Sequence, residues 1–153
     1  MIKIAETNDY EELKKFFIKN GLEAGEDDPV PPGLVKCWKM TDEGADPPKL
    51  IGGIVLAVRE GEFIIDGIAV DPDYRGQDAG TALLALAIEQ AGLSGGERIY
   101  LVARAPGFFR TRGFKTVPRE NAPEFFECNS CPQYGTTCFP EVMKLSNILP
   151  YSI

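Results

Sequence analysis

The chain has 153 residues, 44% hydrophobic and 25% charged, which fits one globular domain with a real core rather than a disordered or fibrous chain. A net charge of −7 argues against general nucleic-acid binding, which needs a basic face. There is no histidine, so Ser-His-Asp and Cys-His nucleophiles and His-ligated metals are excluded, and acid–base work falls to Asp, Glu, Tyr, Lys, Cys or water.

The opening MIKIAETNDYEE has no signal-peptide core, which leads to an expected cytoplasmic location. Ile2 to Ala5 alternates as a short first strand. Thr7 or Asn8 is the expected cap of the next helix, with Asp9, Glu11 and Glu12 at the positive end of its dipole. Leu13, Phe16 and Phe17 give that helix one apolar face, and Asn20-Gly21 stops it. GLEAGEDDPVPPG, 21–33, is an acidic, breaker-rich loop. Strands are predicted over Gly33–Met40, Leu50–Arg59 and Phe63–Val70, with TDEGADPP as one turn and Gly61-Glu62 as a hairpin. The longest apolar run, Leu50 to Val58, is far short of the roughly 20 residues of a membrane span, so no membrane partner is expected.

GTALLALAIEQA, 80–91, is the clearest helix, with Leu83, Leu84, Ala87 and Ile88 as its buried stripe and Gly92, Gly95 and Gly96 ending it. A fifth strand follows at Arg98–Ala103, then a short helix at Ala105–Arg112, a sixth strand from Phe114 to Val117, and a last strand at Val142–Asn147. This order describes a single domain over 1–153. Its class is α+β (mixed α/β), a central mixed, mostly antiparallel sheet of about six or seven strands flanked by helices.

Two segments carry chemistry. In VDPDYRGQDAG, 70–80, a strand hands over to a helix through Arg75, Gly76 and Gly80. The first turn of a helix leaves N–H donors free and carries partial positive charge, so anions bind there, and glycine lets them approach closely. Thr81 adds a hydroxyl. A tight turn with a capped helix explains the same spacing. The second segment is the excursion 118–140, long for a connection, with Cys128, Cys131 and Cys138. With Cys37 they make four cysteines, open to three readings: free or redox-active thiols, a zinc or iron site, or disulfides, the last disfavoured in the cytosol.

The stretch IAVDPDYRGQDAGTALL, 68–84, resembles motif A of the GCN5-related N-acetyltransferases, the GNAT family. Arg75 and Gly80 match the first and last places of its Arg/Gln-x-x-Gly-x-Gly/Ala pattern, and Asp78 replaces the middle glycine. Arg98–Ala103 resembles the family's fifth strand, and APGFFRTRGFK, 105–115, its helix ending in Gly-Phe. The resemblance implies an acetyl-CoA-dependent N-acetyltransferase acting by direct attack of a primary amine, on a small molecule or a protein. It also implies homodimerisation as an expectation. The coenzyme A diphosphate would lie on Arg75, Gly76, Gln77, Asp78, Ala79, Gly80 and Thr81, and a main-chain N–H of Val70 or Ile68 would polarise the thioester. The Asp78 charge would oppose the phosphates by roughly 1 kcal/mol at a few ångströms in water. Asp66, assigned the parity of Ile68 and Val70, is the expected catalytic base, with Glu62 in reserve and a structural acid as the plain alternative. Many members reprotonate the thiolate with a Tyr where this chain has Phe109, which cannot donate; water, Tyr74 or Tyr134 would replace it. The alternative function is an acyl-CoA-binding or metal- or redox-sensing module of the same fold.

Overall fold

The computed structural model describes residues 2–20, 33–75, 78–103, 106–118 and 141–148. Its elements follow the predicted order: β1 (Ile2–Thr7), α1 (Tyr10–Lys19), β2 (Leu34–Asp42), β3 (Lys49–Arg59), β4 (Glu62–Val70), a single 3₁₀ turn (Pro72–Tyr74), α2 (Ala79–Leu93), β5 (Arg98–Ala103), α3 (Pro106–Arg110), β6 (Lys115–Thr116) and β7 (Glu141–Ser146). These strands form one sheet in the order β1-β2-β3-β4-β5-β7-β6. Only β4 and β5 run parallel, and α2 is the crossover that such a pair requires. The expected α+β class with a mixed, mostly antiparallel sheet is the fold found.

Helix α1 lies on one face of the sheet. Its cap is Asp9 rather than Thr7 or Asn8: the Asp9 carboxylate accepts from the Glu12 N–H at 3.1 Å, while the Thr7 hydroxyl accepts from the Asp9 N–H. Tyr10, Leu13, Phe16 and Phe17 then pack with Cys37, Val55 and Ala69. A Cβ on Gly67 would sit 2.9 Å from the Phe17 ring, so the missing side chain there is what lets α1 approach β4.

On the opposite face, Leu83, Leu84, Ala87 and Ala91 of α2 pack against Ile54, Leu56, Ile65, Ile99, Leu101 and Met143. Burying each of the larger side chains stabilises the fold by about 1.5–3 kcal/mol. Ile88, predicted for this stripe, is only partly buried; Ala91 takes the inner position, and the helix runs through Gly92 to Leu93. The β3–β4 hairpin turns at Glu60-Gly61, one residue before the predicted pair, with both at positive φ. Among the described residues no helix is long and apolar enough to cross a membrane.

Candidate functional site

The parallel seam between β4 and β5 is short. Phe63, Ile64 and Ile65 pair with Ile99, Tyr100 and Leu101, and there the pairing stops, although β4 continues to Val70 beside β3. The Asp71 N–H donates to the Ile51 carbonyl of β3 at 2.7 Å. Main-chain groups alternate edges along a strand, so those of Ile68 and Val70 turn to the β5 side. The Val70 carbonyl on that side accepts from Arg75 Nε at 3.2 Å. Among the described residues this strand edge is therefore unpaired up to the turn before α2, and the N–H groups of Ile68 and Val70, one or the other of which was expected to meet the thioester, lie on it.

The turn itself is anchored from below. The buried Asp71 carboxylate accepts from the Asp73 N–H at 2.9 Å and pairs with Lys49 at 3.3 Å, and these two contacts, the N–H first, hold its carboxyl below the usual range. The Tyr74 hydroxyl donates to Asp42 Oδ2 at 2.6 Å. Asp42 lies on β2, two strands from β4, so Tyr74 faces away from the seam and does not fill the proton-donor role suggested for it. Tyr134 lies outside the described residues.

Of the predicted anion loop, Gly76 and Gln77 lie outside the described residues, and the rest frames the start of α2. Asp78 is the N-cap residue at φ 58°, in the left-handed region, and its exposed side chain caps nothing. This is the conformation that glycine tolerates and aspartate adopts at some cost. Ala79, Gly80 and Thr81 form the first helical turn, whose N–H groups have no partner within the helix.

Helix α3 closes over that turn. A Cβ on Gly80 would stand 3.0 Å from the tip of the Phe108 ring, so glycine here admits the ring to the helix start. Phe108 meets Phe109 edge-on at 5.0 Å, and Phe109 meets Phe114 at 5.7 Å. Phe109 is buried in the α2-side core. Arg112, which the motif reasoning passed over, reaches back to α2: its Nε donates to Thr81 Oγ1 at 2.9 Å. The only sequence signal for it is an arginine just before the Gly-Phe pair with no acid beside it.

Asp66 departs from its predicted parity. Leu56 pairs with Ile65 and Val55 with Gly67, so Asp66 is the extra residue of a β-bulge. Ile65, Ile68 and Val70 face the α2-side cluster, whereas Asp66 lies on the α1 face with its Oδ1 accepting from Arg59 Nη2 at 2.7 Å. Its Oδ2 accepts no hydrogen bond among the described residues. The Asp-Gly pair inside IIDGIAV was the available sign of a bulge. Glu62 is engaged by Arg98, whose Nε and Nη2 donate to its two oxygens at 2.8 and 2.7 Å.

The zinc expectation gains no support. Cys37 sits in the aromatic cluster under α1, its thiol pushed up to about 11 by burial and then by the charge of Asp66, a poor setting for a metal-binding thiolate. Cys128, Cys131 and Cys138 lie outside the described residues. Among the described residues no group of three potential ligands could hold a metal ion.

The comparisons with known proteins agree with this geometry. The sequence model of the GNAT acetyltransferase family matches residues 7–114. A GNAT-family acetyltransferase from Staphylococcus aureus Mu50 superposes with a TM-score of 0.71 at 20% identity, over 95% of this chain and 99% of that one. The N-acetylglutamate synthase of Neisseria gonorrhoeae, complexed with coenzyme A and N-acetyl-glutamate, gives 0.72 at 18% identity, over 96% of this chain and 35% of its own. The ribosomal-protein-S18-alanine N-acetyltransferase of Escherichia coli gives 0.67 at 20% identity, over 96% and 94%. The comparison with curated sequences finds no match.

Proposed function

The chain belongs to the GNAT acetyltransferase family, and on that premise we propose that it moves an acetyl group from acetyl-CoA to a primary amine of a small molecule or protein. The observation that carries this reading is the edge of β4 from Gly67 to Val70, unpaired on the β5 side among the described residues, together with the first-turn N–H groups of α2 that have no partner within the helix. An extended thioester arm adds to such an edge as a strand would, and the diphosphate fits the helix start. The coenzyme A held by the Neisseria protein of the same fold supports the choice of cosubstrate.

In this reading Arg75, Gly76, Gln77, Asp78, Ala79, Gly80 and Thr81 hold the diphosphate. The N–H of Val70 or Ile68 donates to the thioester oxygen as negative charge develops there. The amine attacks the carbonyl carbon, the carbon–sulfur bond breaks, and coenzyme A leaves as its thiolate. Asp66 accepts the proton shed by the ammonium, directly or through water, at the oxygen that Arg59 leaves open. Phe109 is a core residue and donates no proton, so water or Tyr134 reprotonates the thiolate.

The expected result is that acetyl-CoA raises the melting temperature and that a suitable amine releases free coenzyme A thiol. Stabilisation without thiol release across a broad amine panel would identify an acyl-CoA sensor, the reading favoured by Asp78 and Phe109. No stabilisation at millimolar acetyl-CoA would overturn both.

A further inference from the structure

Arginine is the longest-reaching cation in the chain, and an acidic protein offers it many carboxylates. Five arginines are described: Arg59, Arg75, Arg98, Arg110 and Arg112. Three are neutralised, Arg59 by Asp66 at 2.7 Å, Arg98 by Glu62 at 2.7 Å and Arg110 by Glu141 at 2.6 Å. Arg75 and Arg112 have no carboxylate partner among the described residues, and both stand at the start of α2.

Arg112 is also held in place. Its Nε and Nη2 both donate to Thr81 Oγ1, and its Nη1 donates to the Phe108 carbonyl at 2.8 Å and to Thr111 Oγ1 at 2.9 Å. The guanidinium lies over the Phe108 ring, 3.7 Å from its centroid. Four of its five N–H donors are therefore spent on neutral acceptors, which orient the group without cancelling its charge. The remaining N–H is on Nη2, beside Thr81. Thr81 Oγ1 accepts from the guanidinium, which leaves its own O–H to donate elsewhere. A fixed cation at the positive end of a helix opposes the helix dipole while no anion is bound, and becomes favourable once one is.

We propose that Arg112 is a second cation for the coenzyme A diphosphate, clamped to the first turn of α2 by Thr81 and Phe108 and set against the charge of Asp78. The assignment rests on the acetyl-CoA reading above. It adds to the predicted loop a residue 31 positions from Thr81 in sequence.

The test is calorimetric titration of coenzyme A and 3′-dephospho-coenzyme A into wild type, Arg112→Gln and Arg112→Lys, with S-acetylpantetheine, which carries no phosphate, as an acetyl donor in parallel. Arg112→Gln should weaken both nucleotide ligands about tenfold, as loss of one charge-assisted contact does, and flatten the salt dependence of their binding. Arg112→Lys, which keeps the charge but loses the stacked and forked clamp, should fall between wild type and Arg112→Gln. The KM for S-acetylpantetheine should not move. Unchanged affinity in Arg112→Gln would overturn the proposal. So would a loss confined to coenzyme A, which would place the contact on the 3′-phosphate. An equal loss for S-acetylpantetheine with a lower melting temperature would reduce Arg112 to a clasp between helices. A wild-type protein that binds no coenzyme A would sink the acetyl-CoA reading itself, whereas wild-type binding with an indifferent Arg112→Gln removes Arg112 alone.

Discussion

The two halves of β4 make opposite use of the same backbone. From Glu62 to Ile65 the strand is paired on both edges, and Glu62 is matched by Arg98. From Gly67 to Val70 it is paired on β3 alone among the described residues, and two arginines beyond its end, Arg75 and Arg112, face no described carboxylate. The bulge at Asp66 separates the halves. Backbone groups and charges left uncompensated in a folded protein are costly, so their coincidence at one end of one seam marks where a partner supplies what the chain lacks. The first half holds the sheet together; in the proposed reading the second receives a ligand that is itself extended and anionic.

Four experiments test that division, from the largest effect to the smallest. Asp66→Asn keeps an oxygen for Arg59 and removes the basic carboxylate; kcat for acetyl transfer should fall by about 10²–10⁴-fold with the fold intact. A change under about threefold would make Asp66 a structural acid of the bulge. In the closed half, Ile65→Ala should lower unfolding free energy by about 2–5 kcal/mol in urea, since Ile65 is almost fully buried opposite Leu101. The remaining folded protein should bind coenzyme A within about twofold of wild type. If affinity collapses as well, the halves are one unit.

Asp78→Gly addresses the open half. Relief of the left-handed conformation is worth about 1 kcal/mol, and the lost carboxylate at the helix N-terminus costs about 0.3–1 kcal/mol, so the melting temperature should barely move. Acetyl-CoA affinity should tighten by about three- to tenfold, as a carboxylate near the phosphates is removed. Unchanged affinity would show that the side chain faces away. The smallest effect concerns Cys37, whose thiol titrates near 11 when folded against an ordinary value of 9.0. The folded state then keeps a proton that the unfolded chain loses. The associated stability is complete below pH 9 and is lost as pH rises through 11. Cys37→Ala should flatten that limb of the stability profile; an unaltered slope would show that the thiol does not carry it.

Much of this was legible in the residues. Periodicity located α1 and α2, breaker residues bounded the strands, and the run from Arg75 to Thr81 marked the passage from strand to helix. The cap at Asp9 instead of Thr7 or Asn8 was a local contest among three adjacent polar side chains, decided by which one reaches the Glu12 N–H. The misplaced face of Asp66 had a different origin. Alternation is a rule for regular strands, and a single inserted residue reverses it.

The sequence alone determined that a strand hands over to a helix through a short stretch containing glycines, because short-range periodicity and glycine's freedom are local properties. Only the tertiary structure decided where the seam between β4 and β5 stops, which face Asp66 takes, and that Arg112 comes to rest on Thr81. Those depend on sheet register and on helix packing between residues distant in the chain, and such contacts are set by the whole core rather than by any one segment.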